Sequence, residues 1–122
     1  MPTVERPLSA AEQAVILTLL QEDLPGVEEL RTQVSSAVVT RHCKCGCATV
    51  DLDVTLGPHT VAAPVEDGVL ITATVRGRLD GVLLFVENGR LSCLEIYAVE
   101  GEPAPLPRPE DLMIDPRDPG TP

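Results

Sequence analysis

Aromatic residues, basic residues and long apolar runs are all scarce in this sequence. Phe and Tyr occur once each and Trp is absent, so the chain has no aromatic platform on which bases or sugars could stack. Nine basic residues stand against 19 acidic ones, which gives a formal net charge of −10. Because such a surface repels phosphate backbones, nucleic-acid binding in the usual electrostatic mode is excluded.

The sequence also lacks the features of membrane and exported proteins. Its apolar stretches are far shorter than a bilayer span, and no basic segment followed by an apolar run stands near the N-terminus. We therefore expect no membrane association and a cytoplasmic location. In that compartment the four cysteines are expected to be reduced thiols, metal ligands or redox groups, and not structural disulfides.

The length of 122 residues fits one domain. Since aromatic residues are so few, its core must be built from Leu, Val, Ile and Ala. We predict a single α+β domain over residues 1–102, followed by a Pro-rich, acidic tail over residues 103–122. The proline content makes regular structure in the tail unexpected, and its last residues are expected to be disordered.

Two amphipathic helices are predicted near the N-terminus. Ser9 and Glu12 have the spacing of a capping box, in which a hydroxyl and a carboxylate satisfy the first free amides. The apolar spacing that follows predicts a helix over residues 9–22. A second helix follows, with one apolar face formed by Val27, Leu30 and Val34.

From residue 37 the apolar period changes to two, which is typical of strands. Five antiparallel strands are predicted, over residues 37–43, 47–54, 69–79, 82–87 and 90–98. Residues 44–46 form a short hairpin loop, and Asp80-Gly81 and Asn88-Gly89 are strong hairpin turns. The expected fold is two N-terminal helices packed on a roughly five-stranded antiparallel sheet whose last three strands form a meander.

Apolar residues lie on both predicted faces of the last two strands. A two-residue turn at Asn88-Gly89 places Leu84 opposite Cys93 and Leu83 opposite Leu94. Both faces are then expected to be covered, one by the helices and the other by the loop 56–67, the tail or a second subunit. A homodimer is therefore one alternative.

The segment His42-Cys43-Lys44-Cys45-Gly46-Cys47 places three thiols and an imidazole within six residues. Across the predicted hairpin, the Cβ atoms of Cys43 and Cys47 are ~4.5–5.5 Å apart, with Cys45 at the tip. The candidate zinc ligands are Cys43, Cys45, Cys47 and His42, with His59 or Cys93 as other sources of the fourth ligand. Because no second, distant ligand pair accompanies them, three interpretations stay open: zinc binding, redox-active thiols, and small residues packed at a tight turn.

One ionisable residue is predicted on a mostly apolar strand face. Glu95 and Tyr97 share that face with Cys93 and, across the turn, with Val82 and Leu84. A carboxylate in such surroundings is a candidate acid or base with a raised pKa. The alternative is a side chain near the strand end that reaches water.

Two stretches of the sequence resemble an uncharacterised family of small bacterial proteins. Residues 43–52 follow the pattern C-x-C-G-C-x-T-V-x-L, and residues 89–97 follow G-x-L-x-x-L-E-I-Y. The resemblance extends over about residues 10–112. Because the family has no assigned activity, it implies no catalytic or binding residue, and only that the Cys hairpin is a family feature.

The sequence contains no nucleophile elbow, P-loop, dinucleotide fingerprint or metal-binding helix, so no catalytic residue is predicted. The leading hypothesis is a non-enzymatic, acidic module that binds a protein partner, basic in character, as inhibitors and immunity proteins do, or that associates with itself. The first alternative is a zinc- or thiol-dependent protein centred on Cys43, Cys45 and Cys47. The second is a small ligand-binding or enzymatic domain whose sheet-lined cavity holds Glu95 and Tyr97.

Overall fold

The computed structural model describes residues 5–42, 47–98 and 104–115. In these ranges the chain forms two α-helices, a short 3-10 helix (Pro109–Asp111) and one antiparallel sheet of seven strands. The helices are α1 (Ala10–Leu19) and α2 (Val27–Gln33). The strands are β1 (Arg6–Pro7), β2 (Val38–His42), β3 (Val50–Asp53), β4 (Gly68–Val75), β5 (Gly81–Glu87), β6 (Arg90–Tyr97) and β7 (Leu112–Ile114). Neither helix has the length and apolar character needed to cross a bilayer.

The strand order across the sheet is β1-β2-β3-β6-β5-β4-β7. The α+β prediction is confirmed, and β4, β5 and β6 form the expected meander. The strand number was wrong, because the sheet has seven strands and not five. The two additional strands, β1 and β7, contain two and three residues, too few for an alternating pattern to be recognised. β7 also lies in the Pro-rich tail, where no regular structure was expected.

The capping box at the start of α1 is present. The Ser9 hydroxyl accepts from the Glu12 N–H at 3.1 Å, and the Glu12 carboxylate accepts from the Ser9 N–H at 2.8 Å. The same carboxylate also accepts two hydrogen bonds from Arg6, at 2.8 and 2.9 Å, which join β1 to α1. α1 ends at Leu19, earlier than the predicted residue 22.

The core lies between the helices and the inner face of the sheet, and its buried apolar residues are Leu, Val, Ile and Ala. From α2 and the residue after it, Val27, Leu30 and Val34 are buried, as their spacing predicts. From the sheet, the inner face contributes Val39, Val50, Leu52, Ile71, Ala73, Val75, Val82, Leu84, Val86, Leu91, Leu94 and Ile96. One sheet face thus supplies most of the apolar contact that the fold needs.

A β-bulge at Ser92 sets the pairing of β5 with β6. Beyond the bulge, Leu84 lies opposite Leu94 and Phe85 lies opposite Cys93. The predicted register, with Leu84 opposite Cys93, is therefore wrong by one residue. The prediction assumed that side chains alternate between the two sheet faces along the whole of β6. The unpaired Ser92 instead places Leu94 on the core side and exchanges the predicted faces of all later residues of the strand.

The hairpin that contains the cysteines also departs from the predicted register. β3 begins at Val50 and not at residue 47, and the last described pair of the ladder joins Val50 to His42. Cys47 lies in a bend before β3. The predicted pairing of Cys47 with Cys43 involves a residue outside the described part of the chain.

Candidate functional site on the outer face of the sheet

The sheet face that points away from the helices is accessible to solvent, and we call it the outer face. It is formed by alternate residues of β3 to β7, which the strand registers align into three cross-strand rows. The rows are Asp51–Cys93–Phe85–Val69, Glu95–Leu83–Thr72, and Tyr97–Gly81–Thr74–Met113. Except for Gly81, all of these residues are half-buried or exposed. The outer face therefore differs sharply from the inner face.

Glu95 and Tyr97 do share a strand face with Cys93, as the sequence analysis expects. On β5, Leu83 lies opposite Glu95, Gly81 lies opposite Tyr97 and Phe85 lies opposite Cys93. The predicted neighbours Val82 and Leu84 lie on the inner face instead, because of the bulge. This face is open to solvent.

A shallow groove of ≈ 620 Å³ crosses the first row, and Phe85 is one of the residues that line it. Its charged side chains are the carboxylates of Asp51, Glu87 and Glu95 and the guanidinium of Arg41. Three negative charges thus stand against one positive charge. The groove brings the aromatic residue Phe85 together with an excess of carboxylates, which suits a cationic and partly apolar ligand better than an anionic one.

The Cys93 thiol lies in this groove. The pKa of Cys93 is raised to about 12. Burial is the largest cause, followed by the charge of the Asp51 carboxylate, a hydrogen bond to that carboxylate, and the charge of Glu95. The thiol is therefore protonated at neutral pH and is a poor nucleophile. It contributes shape and a hydrogen bond to the groove, and no catalytic role follows for it.

Tyr97 has a structural role at the other end of β6. Its ring lies across Gly81 on the neighbouring strand and fills the space that a Cβ atom at that position would occupy. An aromatic side chain over a strand glycine compensates for the missing side chain. The ring still leaves Tyr97 41% exposed, so it also contributes apolar surface to the outer face.

The two sequence stretches that carry the family resemblance meet between β3 and β6. The Thr49 hydroxyl donates to the Ile96 carbonyl at 3.1 Å and accepts from the Ile96 N–H at 2.9 Å. It replaces a backbone pair and extends the β3–β6 ladder, which otherwise contains Val50–Leu94 and Asp51–Cys93. The Ala48 N–H donates to the Ala104 carbonyl at 3.1 Å. The C-terminal side of the cysteine segment is thereby fixed to both β6 and the tail.

The candidate metal ligands are only partly described. His42 is exposed at the end of β2, and Cys47 is half-buried, with its thiol donating to the Thr49 hydroxyl at 3.4 Å. Cys43 and Cys45 lie outside the described residues. Within the described ranges no three potential ligands come together. The zinc site therefore stays a prediction, and measuring the zinc content of the purified protein tests it.

The two other sources of a fourth ligand are separated in the fold. His59 is exposed in the loop between β3 and β4, whereas Cys93 lies on the outer face at the row of Asp51.

The chain matches no known protein family, no curated protein and no solved structure. The outer face is the site that its own geometry singles out, and the sequence analysis did not predict that Phe85 and Asp51 lie in one row on it. Their proximity depends on the pairing of β3 with β6, for which the sequence carries no local signal.

Proposed function

We propose that this protein acts by binding a basic partner protein on the outer face of its sheet, without catalysing a reaction. The observation that carries this proposal is the solvent-accessible face on which apolar side chains lie beside unbalanced carboxylates. A face of this kind has the composition of a contact surface with an apolar centre and a charged rim. Its chemistry determines which partners it suits.

The apolar part of the face is contiguous. Leu83 and Phe85 are half-buried in adjacent rows of β5, and Val69 and Tyr97 beside them are 47% and 41% exposed. Single exposed apolar residues are ordinary on protein surfaces, but a connected group is typical of an interaction site. The fold does not require these side chains in its core, because the inner face already packs against both helices.

The charge of the face favours a basic partner over a second copy of the chain. The groove carries Asp51, Glu87 and Glu95 against Arg41, and the whole protein carries −10. Two copies would bring like carboxylates together, whereas a basic protein would be attracted and oriented. A partner segment with apolar side chains between Arg or Lys residues fits both properties of the face.

Affinity capture with matched variants tests the proposal. The wild-type protein, Phe85→Glu and Leu17→Glu serve as baits in an extract of the source cells. Leu17 lies on α1 and is 40% exposed, so its variant adds the same charge away from the outer face. Wild type and Leu17→Glu should retain the same basic protein, which elevated salt releases, and Phe85→Glu should bind it at least about tenfold more weakly.

Circular dichroism of each variant first establishes that it is folded. The purified candidate partner is then titrated against all three proteins. Equal binding by Phe85→Glu, or retention of an acidic protein that salt does not release, would contradict the proposal. Sedimentation supplies a further outcome, because a stable dimer that Phe85→Glu dissociates would make a second copy, and not a basic protein, the occupant of the face.

A further inference from the structure

A second depression lies at the far end of the outer face, beside β7, and we infer that it receives a large apolar side chain of the same partner. This inference rests on the proposed function. The depression, here called the β7 hollow, is lined by Thr74, Leu79 and Met113 together with Arg78 and Asp80. Its volume is ≈ 780 Å³, and it is separate from the groove around Phe85.

The first support is a concentration of exposed apolar surface. Leu79 is 61% exposed and Met113 is 43% exposed, although both are large apolar side chains. Tyr97 lies in the same cross-strand row as Thr74 and Met113. Of the other large apolar residues that are exposed in the described part of the chain, Val69 lies in the row of Phe85 on the outer face, and Leu17, Leu56 and Val61 are on α1 or in the loop after β3. The β7 hollow thus continues the outer face.

The second support is the local charge. Arg78 and Asp80 form an ion pair within the turn between β4 and β5, and the Asp80 side chain is only 9% exposed. The two charges of the β7 hollow therefore neutralise each other. The groove, in contrast, carries more carboxylates than cations. The β7 hollow therefore provides no electrostatic attraction for a cation. The favourable free energy of binding there comes from the burial of apolar surface.

The spacing of the two sites suits one partner element. Along β5, the row of Phe85 and the row of Gly81 are separated by four residues, or ~13 Å at the rise of a strand. A single helix or strand laid on the sheet covers that distance. The partner is then held at one end by a cation over the groove and at the other by an apolar side chain in the β7 hollow.

Isobutanol, a small apolar probe, tests the hollow directly in an NMR titration of the full chain. The expected result is a set of saturable shifts at the amides of Thr74, Leu79 and Met113. The amides of Leu17 and Val61 serve as internal controls, since both side chains are exposed to a similar degree. Shifts of equal size at the controls, or no shifts at the hollow, would overturn the inference.

The partner recovered by capture then separates this inference from the proposed function. Leu79→Ser should weaken binding about tenfold and leave its salt dependence unchanged, whereas Glu95→Gln should reduce the salt dependence. If Leu79→Ser binds like wild type while Phe85→Glu does not, the hollow is not an anchor and the proposed function stands. If no basic protein binds the wild-type chain, the proposed function fails and the assignment of the hollow fails with it.

Discussion

Gln33 joins α2 to the turn between β5 and β6, and replacing it should destabilise the fold strongly. The side chain is completely buried. Its Nε2 donates to the Val61 carbonyl at 2.8 Å and to the Gly89 carbonyl at 2.9 Å. Its Oε1 accepts from the Leu91 N–H at 3.0 Å. One amide group thus holds a helix, a loop and a hairpin turn together.

The cost of Gln33→Leu follows from what each partner loses. The Leu91 N–H is buried and would have no acceptor, a loss of ~1–3 kcal/mol. The Gly89 carbonyl keeps the Ala63 N–H at 2.8 Å, so its second hydrogen bond contributes a further ~0.5–1.5 kcal/mol. Val61 is 49% exposed, and its carbonyl can turn to water at little cost. The expected loss in the free energy of unfolding is roughly 2–4 kcal/mol.

Urea unfolding followed by far-UV circular dichroism measures this loss, with an unchanged denaturant slope as the sign that both states are otherwise alike. Gln21→Leu is the matched control, because Gln21 is exposed and its replacement should change stability by less than ~0.5 kcal/mol. Gln33→Glu keeps the shape but directs a carboxylate at two carbonyl oxygens. We expect it to lose at least as much as Gln33→Leu at neutral pH.

The pH dependence of Gln33→Glu gives the sign of that effect. Burial between carbonyl oxygens should raise the pKa of the introduced carboxyl in the folded state. Its stability is then highest below the unfolded pKa and falls as the pH rises through the folded pKa. Hydrogen exchange at the Leu91 amide is the local readout. A loss below ~1 kcal/mol for Gln33→Leu, with Leu91 still protected, would refute the reasoning.

Three further predictions follow from other contacts. Hydrogen bonds from Arg6 lower the pKa of Glu12 below its ordinary 4.5. The stability that these bonds contribute is therefore present above pH 4.5 and is lost as the pH falls through the folded pKa. Urea unfolding at neutral and acid pH should show this loss in the wild-type protein and not in Glu12→Gln. The pKa of Cys93 is raised from 9.0 to about 12 in the folded protein. Its thiol should therefore react with iodoacetamide at pH 8 roughly 1,000-fold more slowly in the folded protein than in urea. Equal rates, followed by mass spectrometry, would contradict the half-buried position of Cys93 beside Asp51. Thr49→Val removes the hydroxyl that pairs with Ile96 and should lower the free energy of unfolding by ~1–3 kcal/mol, whereas Thr49→Ser, which keeps it, should change little in the same unfolding assay.

Local chemistry made part of the fold predictable. The capping box of Ser9 and Glu12 marked the start of α1, and the Asn88-Gly89 turn supplied the two positive φ angles of the β5–β6 hairpin, 54° and 73°. These features depend on a few adjacent residues. The sequence pattern at that range is therefore sufficient for them.

Register and edge strands were not predictable in the same way. In the sequence, the only sign of the bulge at Ser92 is the spacing of the apolar residues of β6. Leu91 and Leu94 are three residues apart, whereas Leu94 and Ile96 are two apart, as regular alternation requires. A pattern of that kind is decided by which residues the helices cover, which is tertiary information. The shared face of Cys93 and Glu95 was predicted because both lie on one strand, whereas their proximity to Asp51 required a pairing between distant segments.

The two outermost strands, β1 and β7, are the shortest in the sheet, and Pro7 occupies one of the two positions of β1. Proteins with β-sheets aggregate when an exposed edge strand forms backbone hydrogen bonds with a strand of another chain. Edge strands that are short or contain proline make this pairing unfavourable. The long strands β5 and β6 are internal, and β7 pairs with β4 over residues 73–75. The protein can thus keep an accessible apolar face without forming edge-to-edge fibres, and contact with other molecules is directed to the face. Removal of the segment from residue 112 onward would leave the eight residues of β4 as an edge, and we expect the shortened chain to aggregate.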